Sequence, residues 1–205
     1  MLAEIRQALP APQYILTTAL PAGEWALRNL NLQAVASSVD FINVMTYDFA
    51  GPWVPQAGHH AQLFAPKRPH NDASKISGES AMRYYLSKGV HPYQLNFGIP
   101  AYGRSFLGAS GIGSSYTGHA GEEGTFEYRD LPRPGAIEHV DNATGAAYCI
   151  GGDGGFVTYD TVETVQMKAK FVRDWQLGGM FYWTATGDAT GPRSLVIAGY
   201  NSLRG

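Results

Sequence analysis

At 205 residues, with 44% hydrophobic, 12% aromatic and 16% charged side chains, the chain is long enough for one domain with a sizeable core, or for a piece of a larger one, and nothing in its composition suggests disorder. A net charge of −2 and a pI near 6.3, with no run of like charge, supply no basic field for nucleic acid or an anionic membrane, and no stretch reaches the apolar length of a membrane span. The single cysteine, Cys149, excludes an internal disulfide framework, and the six histidines lack zinc-type spacing, so neither metal nor cofactor is expected.

In chain order, Leu2, Ile5 and Leu9 share one helical face over Met1 to Leu9, with no capping residue before them, so the sequence opens inside a helix. It begins without the basic-then-apolar layout of a signal peptide. Tyr14 to Thr18 reads as a short strand, and Glu24 to Ala36 as an amphipathic helix. The stretch from Asp40 to Trp53 is central. Phe41, Ile42, Val44 and Met45 form an apolar run without alternation, the pattern of a strand covered on both faces of a parallel sheet, and it leads into Tyr47, Asp48 and Trp53. A long loop from Asp48 to about Ile76 follows, of the size that is usually functional or mobile. Ser77 is placed to cap a helix that stops at Gly89, and Leu95 to Ile99 makes a third strand ending at Tyr102 and Arg104.

Between Gly103 and Gly155 lie 13 of the chain's 25 glycines, with short β-like pieces at Thr125 to Tyr128 and Ala146 to Ile150, which reads as an inserted α+β subdomain. Asp160 and Glu163 stand in capping-box spacing before a long helix closed by Gly178. Gly179 to Trp183 is the fourth strand, and Pro192 starts a last helix. Strands alternating with helices imply parallel βαβ units. A closed (β/α)₈ barrel takes about 250 residues before insertions. The expected fold is therefore α/β: a partial TIM barrel, about its last four strands, with an inserted α+β subdomain. Its expected divisions are 1–102 for the first barrel strands and helices, 103–178 for the insertion and its following helix, and 179–205 for the last strand and helix. An open four-stranded sheet is the competing arrangement, at the cost of two exposed edges.

Parallel strands gather their carboxyl ends on one rim, where ligands bind. That rim collects Ala19, Met45, Tyr47, Asp48, Tyr102, Arg104 and Trp183. Taken singly, a strand-end Trp or Met is more often core and a strand-end Arg more often a surface ion pair. The ordered set is more specific. MTYDFAGPW, GIPAYGRSF and GGMFYWTATGD, with a glycine-rich insertion between the last two, resemble the C-terminal half of glycoside hydrolase family 18, the chitinases. YILTTALPAGEW resembles the fifth strand and its loop in fungal-type members, and GHHAQLF the loop after the sixth, so the resemblance runs from about Leu2 to Leu203.

The resemblance implies endo-hydrolysis of β-1,4-linked N-acetylglucosamine in chitin or chitooligosaccharides by a substrate-assisted retaining mechanism, acting outside the cell. It implies Tyr47 and Asp48 as catalytic residues: the Tyr47 hydroxyl would hold the acetamido oxygen, and Asp48 would contact the general acid or a sugar hydroxyl. Trp183 would be the floor for the sugar, Met45 and Ala19 would line the acetamido pocket, and Tyr102 and Arg104 would reach toward the bound chain and neighbouring acidic groups. Trp25 and Trp53 are candidates for extending the groove. The family's acidic motif DxxDxDxE, which carries the general acid, is absent from this sequence, and the expected reading is a chain that starts just past it. A non-catalytic, lectin-like relative or a non-functional gene fragment are the alternatives, and the unpaired edges of half a barrel make self-association a further expectation.

Overall fold

The computed structural model describes all 205 residues. In the first helix, α1 (Leu2–Ala8), the Arg6 guanidinium donates to the carbonyls of Ser38, Leu9 and Tyr14 and to the Asp40 carboxylate. That carboxylate also accepts the Leu16 N–H at 2.6 Å, which takes Leu16 out of any strand ladder. The first strand, β1 (Thr17–Pro21), consequently starts three residues later than the sequence predicts, and Tyr14 and Ile15 are left exposed. The single helix predicted over 24–36 is two short ones, α2 (Glu24–Leu27) and α3 (Leu32–Ala36). Asn31 causes the break, because its side chain accepts the Ala34 N–H and so starts a new helix.

After β2 (Phe41–Met45) and the long loop, α4 (Gly78–Ser87) begins at Ser77, reciprocally capped with Ser80, and is followed by Gly89 at φ +80°. β3 (Leu95–Pro100) completes the third parallel pairing unit. The chain then builds a second sheet from β4 (Tyr102–Phe106), β5 (Thr125–Glu127), β6 (Ile137–Asp141), β7 (Ala146–Gly151) and β8 (Gly155–Tyr159). It is antiparallel, in the order β5-β4-β8-β7-β6. Only β5 and β7 match predicted pieces. β4 reads as a strand end, β6 is mostly exposed and lacks alternation, and β8 is one buried run after a cluster of glycines.

α5 (Val162–Asp174) is capped by Thr161 with Thr164, not by the Asp160 and Glu163 pair that the spacing suggests, since Asp160 is bound to Lys168. Nor does Gly178 close α5. Gln176 takes the left-handed turn (φ +53°), while Gly178 lies so close to Tyr93 O that a Cβ there would be 2.4 Å away. β9 (Gly179–Trp183) pairs with β3, and α6 (Leu195–Arg204) is capped by Ser194, with Pro192 in the preceding 3₁₀ turn. No helix is long and apolar enough to cross a membrane.

The four-stranded sheet is wholly parallel, in the order β1-β2-β3-β9, with Ala19 in register with Asn43 and Asn43 with Asn96. One face is the core: Ile42, Val44, Leu95, Phe97 and Ile99 are fully buried and cluster with Leu27, Met82, Tyr85, Val165 and Leu195 from the helices. Along the other face run Thr17, Ala19, Asn43, Asn96, Phe181 and Trp183, half-buried or exposed. β1 and β9 are free edges, so this sheet does not close on itself.

Candidate active site

The carboxyl ends of the four parallel strands share one rim, and the end of β2 is fixed on it by a side chain. Thr46 Oγ1 donates to Gly98 O at 2.7 Å and accepts the Gly98 N–H at 2.9 Å, which clips β2 to β3. The next residue, Tyr47, lays its ring over the same glycine. A Cβ on Gly98 would stand 2.9 Å from Tyr47 Cε1 and 2.7 Å from Val44 O, so no larger residue leaves the ring this place. Tyr102 packs edge-on against Tyr47 and Phe181 is tilted beside it, each at 6.2 Å between ring centres. Burial, with Asp48 adding to it, pushes the Tyr47 hydroxyl up to about 12, so it stays a neutral donor across the working range of pH.

Asp48 adopts φ +62°, a strained value for a residue with a side chain, although Asp tolerates it better than most. The turn lets the Phe49 N–H reach His60 O at 3.0 Å and aims the carboxylate at β4. There Oδ1 accepts the Tyr102 hydroxyl at 2.8 Å and the Arg104 Nε–H at 2.9 Å, with Arg104 Nη2 in ion-pair contact at 2.8 Å. Oδ2 accepts nothing from the chain. Burial alone would raise Asp48, but His60, Arg104 and Tyr102 outweigh it and hold the carboxyl at about 2. Asp48 is therefore ionised at neutral pH.

His60, in the GHHAQLF stretch, also faces Asp48. It is fully buried, its Nδ1 lies 3.7 Å from Asp48 Oδ1, beyond hydrogen-bond reach, and neither ring nitrogen has a partner. Burial lowers its pKa, against the pull of Asp48. No spacing marks such a residue in a sequence.

A cleft of about 610 Å³ opens beside Tyr47 and Asp48, lined also by Met45, Pro21, Trp25 and Trp53. Tyr102 and Arg104 stand outside it and reach the site through Asp48. Trp183 is at the end of β9, 58% exposed, and Ala19 is exposed on β1, so both belong to the rim and the open face of the sheet, not to this cleft. A smaller cavity of about 140 Å³ lies elsewhere on the long loop, beside His59 and Asp141. His59 there sits 3.2 Å from Thr158 Oγ1 and 3.5 Å from Asp141 Oδ2, ties that join the loop to the antiparallel sheet. No three His, Cys, Asp or Glu side chains are grouped as a metal site. The main cleft offers a neutral phenol donor, an anchored carboxylate acceptor and apolar walls, which suits an uncharged ligand with both hydroxyl groups and apolar faces.

The family described as glycosyl hydrolases family 18 matches residues 1–188. Endochitinase 1 of Metarhizium robertsii is 32% identical over 195 residues, which cover 93% of this chain and 46% of that protein. The catalytic domain 2 of the Ostrinia furnacalis Group II chitinase superposes with a TM-score of 0.89 at 26% identity, covering 99% of this chain and 58% of the other. Human YKL-39, described as a pseudo-chitinase with retained chitooligosaccharide binding, superposes with a TM-score of 0.90 at 26% identity, over 99% of this chain and 62% of the other. The chain spans about half the length of the curated relatives it matches.

Proposed function

The chain belongs to glycosyl hydrolase family 18, and from that premise we propose that its cleft binds β-1,4-linked N-acetylglucosamine oligosaccharides as the substrate-side half of a chitinase-type site. In this reading the four parallel strands are the last four of an eight-stranded barrel, and the polymer is met outside the cell. Tyr47 and Asp48 carry the chemistry: the free phenol donates to the acetamido oxygen as that oxygen attacks its own anomeric carbon. Such a donor, fixed over Gly98, needs no reorganisation when charge develops. Met45 lines the space for the acetamido methyl within the cleft, while Trp183 and Ala19, on the adjoining open face of the sheet, would meet the sugar only where it extends beyond the cleft. Tyr102 and Arg104 act as positioning residues, since they fix Oδ1 of Asp48 and leave Oδ2 to the ligand or to a neighbouring acid.

The observation that carries this proposal is the anchoring of Asp48 at the cleft beside Tyr47, with its Oδ1 held by Tyr102 and Arg104. A carboxyl held at about 2 cannot protonate a leaving oxygen at neutral pH, so Asp48 orients and does not donate. Turnover then needs a general acid other than Asp48, a role the resemblance gives to the DxxDxDxE motif and not to Glu24 or Asp72, the other carboxylates that line the cleft. The 205-residue chain should bind chitooligosaccharides and hydrolyse them poorly, behaving in isolation as the lectin-like alternative would. Calorimetric titration with chitotriose, paired with a fluorogenic chitobioside assay, tests both halves. Saturable binding is expected, with turnover lower by roughly 10²- to 10⁴-fold than in an enzyme with its general acid. Absence of binding, or ordinary chitinase turnover that Asp48→Ala abolishes, would overturn the reading.

A further inference from the structure

The buried side-chain nitrogen and oxygen atoms that lack a partner in the chain all belong to one stretch, His59 to Gln62: both ring nitrogens of His60, Nε2 of His59 and Oε1 of Gln62. His60 faces Asp48, whereas His59 and Gln62 line the smaller cavity, which shares only Ala73 with the main cleft. Protein interiors rarely leave such groups unpaired, and two of them on one cavity call for a partner from outside the chain. At about 140 Å³ the space is roughly ten times what one water needs, so it admits a ligand of several heavy atoms.

The hydrogen bonds around the cavity decide which chemistry matches it. Thr158 Oγ1 gives its only proton to Ala147 O at 3.2 Å, so in its 3.2 Å contact with His59 the ring Nδ1–H must donate. Nε2 of the neutral ring is then a bare acceptor, and it stands 3.5 Å from a second one, Asp141 Oδ2. The Asp141 carboxylate accepts the Thr144 hydroxyl at 2.7 Å and the N–H groups of Ala143 and Thr144 at 3.0 and 3.4 Å, which favours its ionised form. Gln62 commits its amide nitrogen to Ile76 O at 2.5 Å, so its unpartnered oxygen is a third acceptor. No Lys or Arg lines this cavity. Three acceptors, one of them charged, match a cation with several N–H bonds, and no three grouped ligating side chains favour a metal ion instead. The two orphan atoms are sealed from bulk solvent, which selects a head group as small as an ammonium. Toward solvent, Gln56 Oε1 accepts from Asn71 Nδ2 at 3.3 Å, which leaves the Gln56 amide nitrogen to donate outward, and Pro66 and Ile112 add apolar wall.

We propose that this cavity is a second ligand site, separate from the oligosaccharide cleft, which takes a small primary ammonium carrying hydroxyl groups, the chemistry of a 2-amino sugar. The ammonium donates to Asp141 Oδ2, His59 Nε2 and Gln62 Oε1, while the hydroxyl groups meet Gln56 and the ring face lies against Ile112. A neutral N-acetyl sugar lacks the charge that Asp141 would pair with.

Titration of the 205-residue chain at pH 7 with glucosamine, N-acetylglucosamine and glucose, read by calorimetry and by amide and imidazole ¹⁵N signals, tests the proposal. Glucosamine should bind saturably and shift the signals of His59, Gln62 and Asp141, with the two uncharged sugars weaker by roughly tenfold or more. Asp141→Asn keeps the shape of the side chain and should lower glucosamine affinity by a similar factor. Ile112→Trp narrows the cavity without touching a polar group and should abolish the binding; far-ultraviolet circular dichroism and the thermal midpoint report that each variant folds. Equal binding of the three sugars, native affinity in Asp141→Asn, or shifts confined to the cleft around Tyr47 would overturn the inference. So would no binding at all, or a His59 ring with a proton on both nitrogens before and after glucosamine is added, since water or an ion pair with Asp141 would then account for the site. Chitotriose binding at the main cleft is a separate titration, and neither result decides the other.

Discussion

Asp48 shows how one residue's backbone and charge are tied together. Its left-handed conformation costs roughly 1–2 kcal/mol for a side-chain-bearing residue, and it persists because the turn delivers Oδ1 to Tyr102 and Arg104. The same contacts make the folded protein's stability depend on acid. Burial raises the carboxyl and the three neighbours lower it further, so it sits at about 2 in the folded chain against roughly 3.9 when unfolded. As pH falls, the unfolded state takes up the proton first, so the contribution of Asp48 is fully present above about pH 4 and fades toward pH 2. Urea unfolding of the native protein and Asp48→Asn from pH 7 to pH 2 should show a stability gap that is constant at the upper end and narrows across that window. A gap independent of pH would mean that the Asp48 contacts are already broken, or equally present, in both states.

At the scale of elements, the 48–76 loop is fastened at its middle by a buried cation. Lys168 on α5 is fully buried, donates to both oxygens of Asp160 and reaches the Ala61 carbonyl, one residue beyond His60. The Phe49 N–H to His60 O and Gly78 N–H to Gln62 O bonds fasten the loop on either side. Lys168→Met strands the Asp160 charge in the interior and should cost roughly 3–5 kcal/mol. Arg83→Ala, which breaks only an exposed i,i+4 pair with Glu79, should cost about 0.3–0.5 kcal/mol. Equal costs in chemical denaturation would show that the buried pair carries no special weight. None of this was readable from spacing: Asp160 with Glu163 imitates a capping box, yet the Asp160 carboxylate has Lys168 as its partner, and Thr161 caps α5. The parallel strands were readable because apolar runs alternate with helical periodicity, and Tyr47 and Asp48 because they end such a run. The boundaries of β1 and the break between α2 and α3 were not, since each is set by one polar side chain, Asp40 or Asn31, reaching a backbone N–H. β4 was hidden for a related reason, as Tyr102 and Arg104 alternate onto one face and serve the site from within a strand.

At the scale of the whole chain, the 205 residues by themselves leave one sheet face uncovered. Its parallel sheet buries one face under helices and leaves the other, from Thr17 and Ala19 to Phe181 and Trp183, half-buried or open, with unpaired backbone along β1 and β9. Four strands cannot close a barrel, and unprotected edges of this kind recruit other strands. β1 and β9 are five residues each and run in the same direction, so the β9 edge of one copy can accept the β1 edge of another with the parallel order continued. Such a contact is heterologous and either closes or grows. Two copies would give eight parallel strands, the number at which a barrel closes with its interior filled, so closure at the dimer is the expected endpoint. Light scattering on the purified chain should therefore show a mass rising with concentration toward twice 22.2 kDa. Thr17→Lys, on the exposed side of the β1 edge, should shift that rise to higher concentration and leave the far-ultraviolet circular dichroism unchanged, because the charge falls on the surface the partner would cover. A monodisperse monomer at all concentrations, with a sharp reversible thermal transition, would show that the open face is tolerated in water and that its apolar residues are too few to drive pairing.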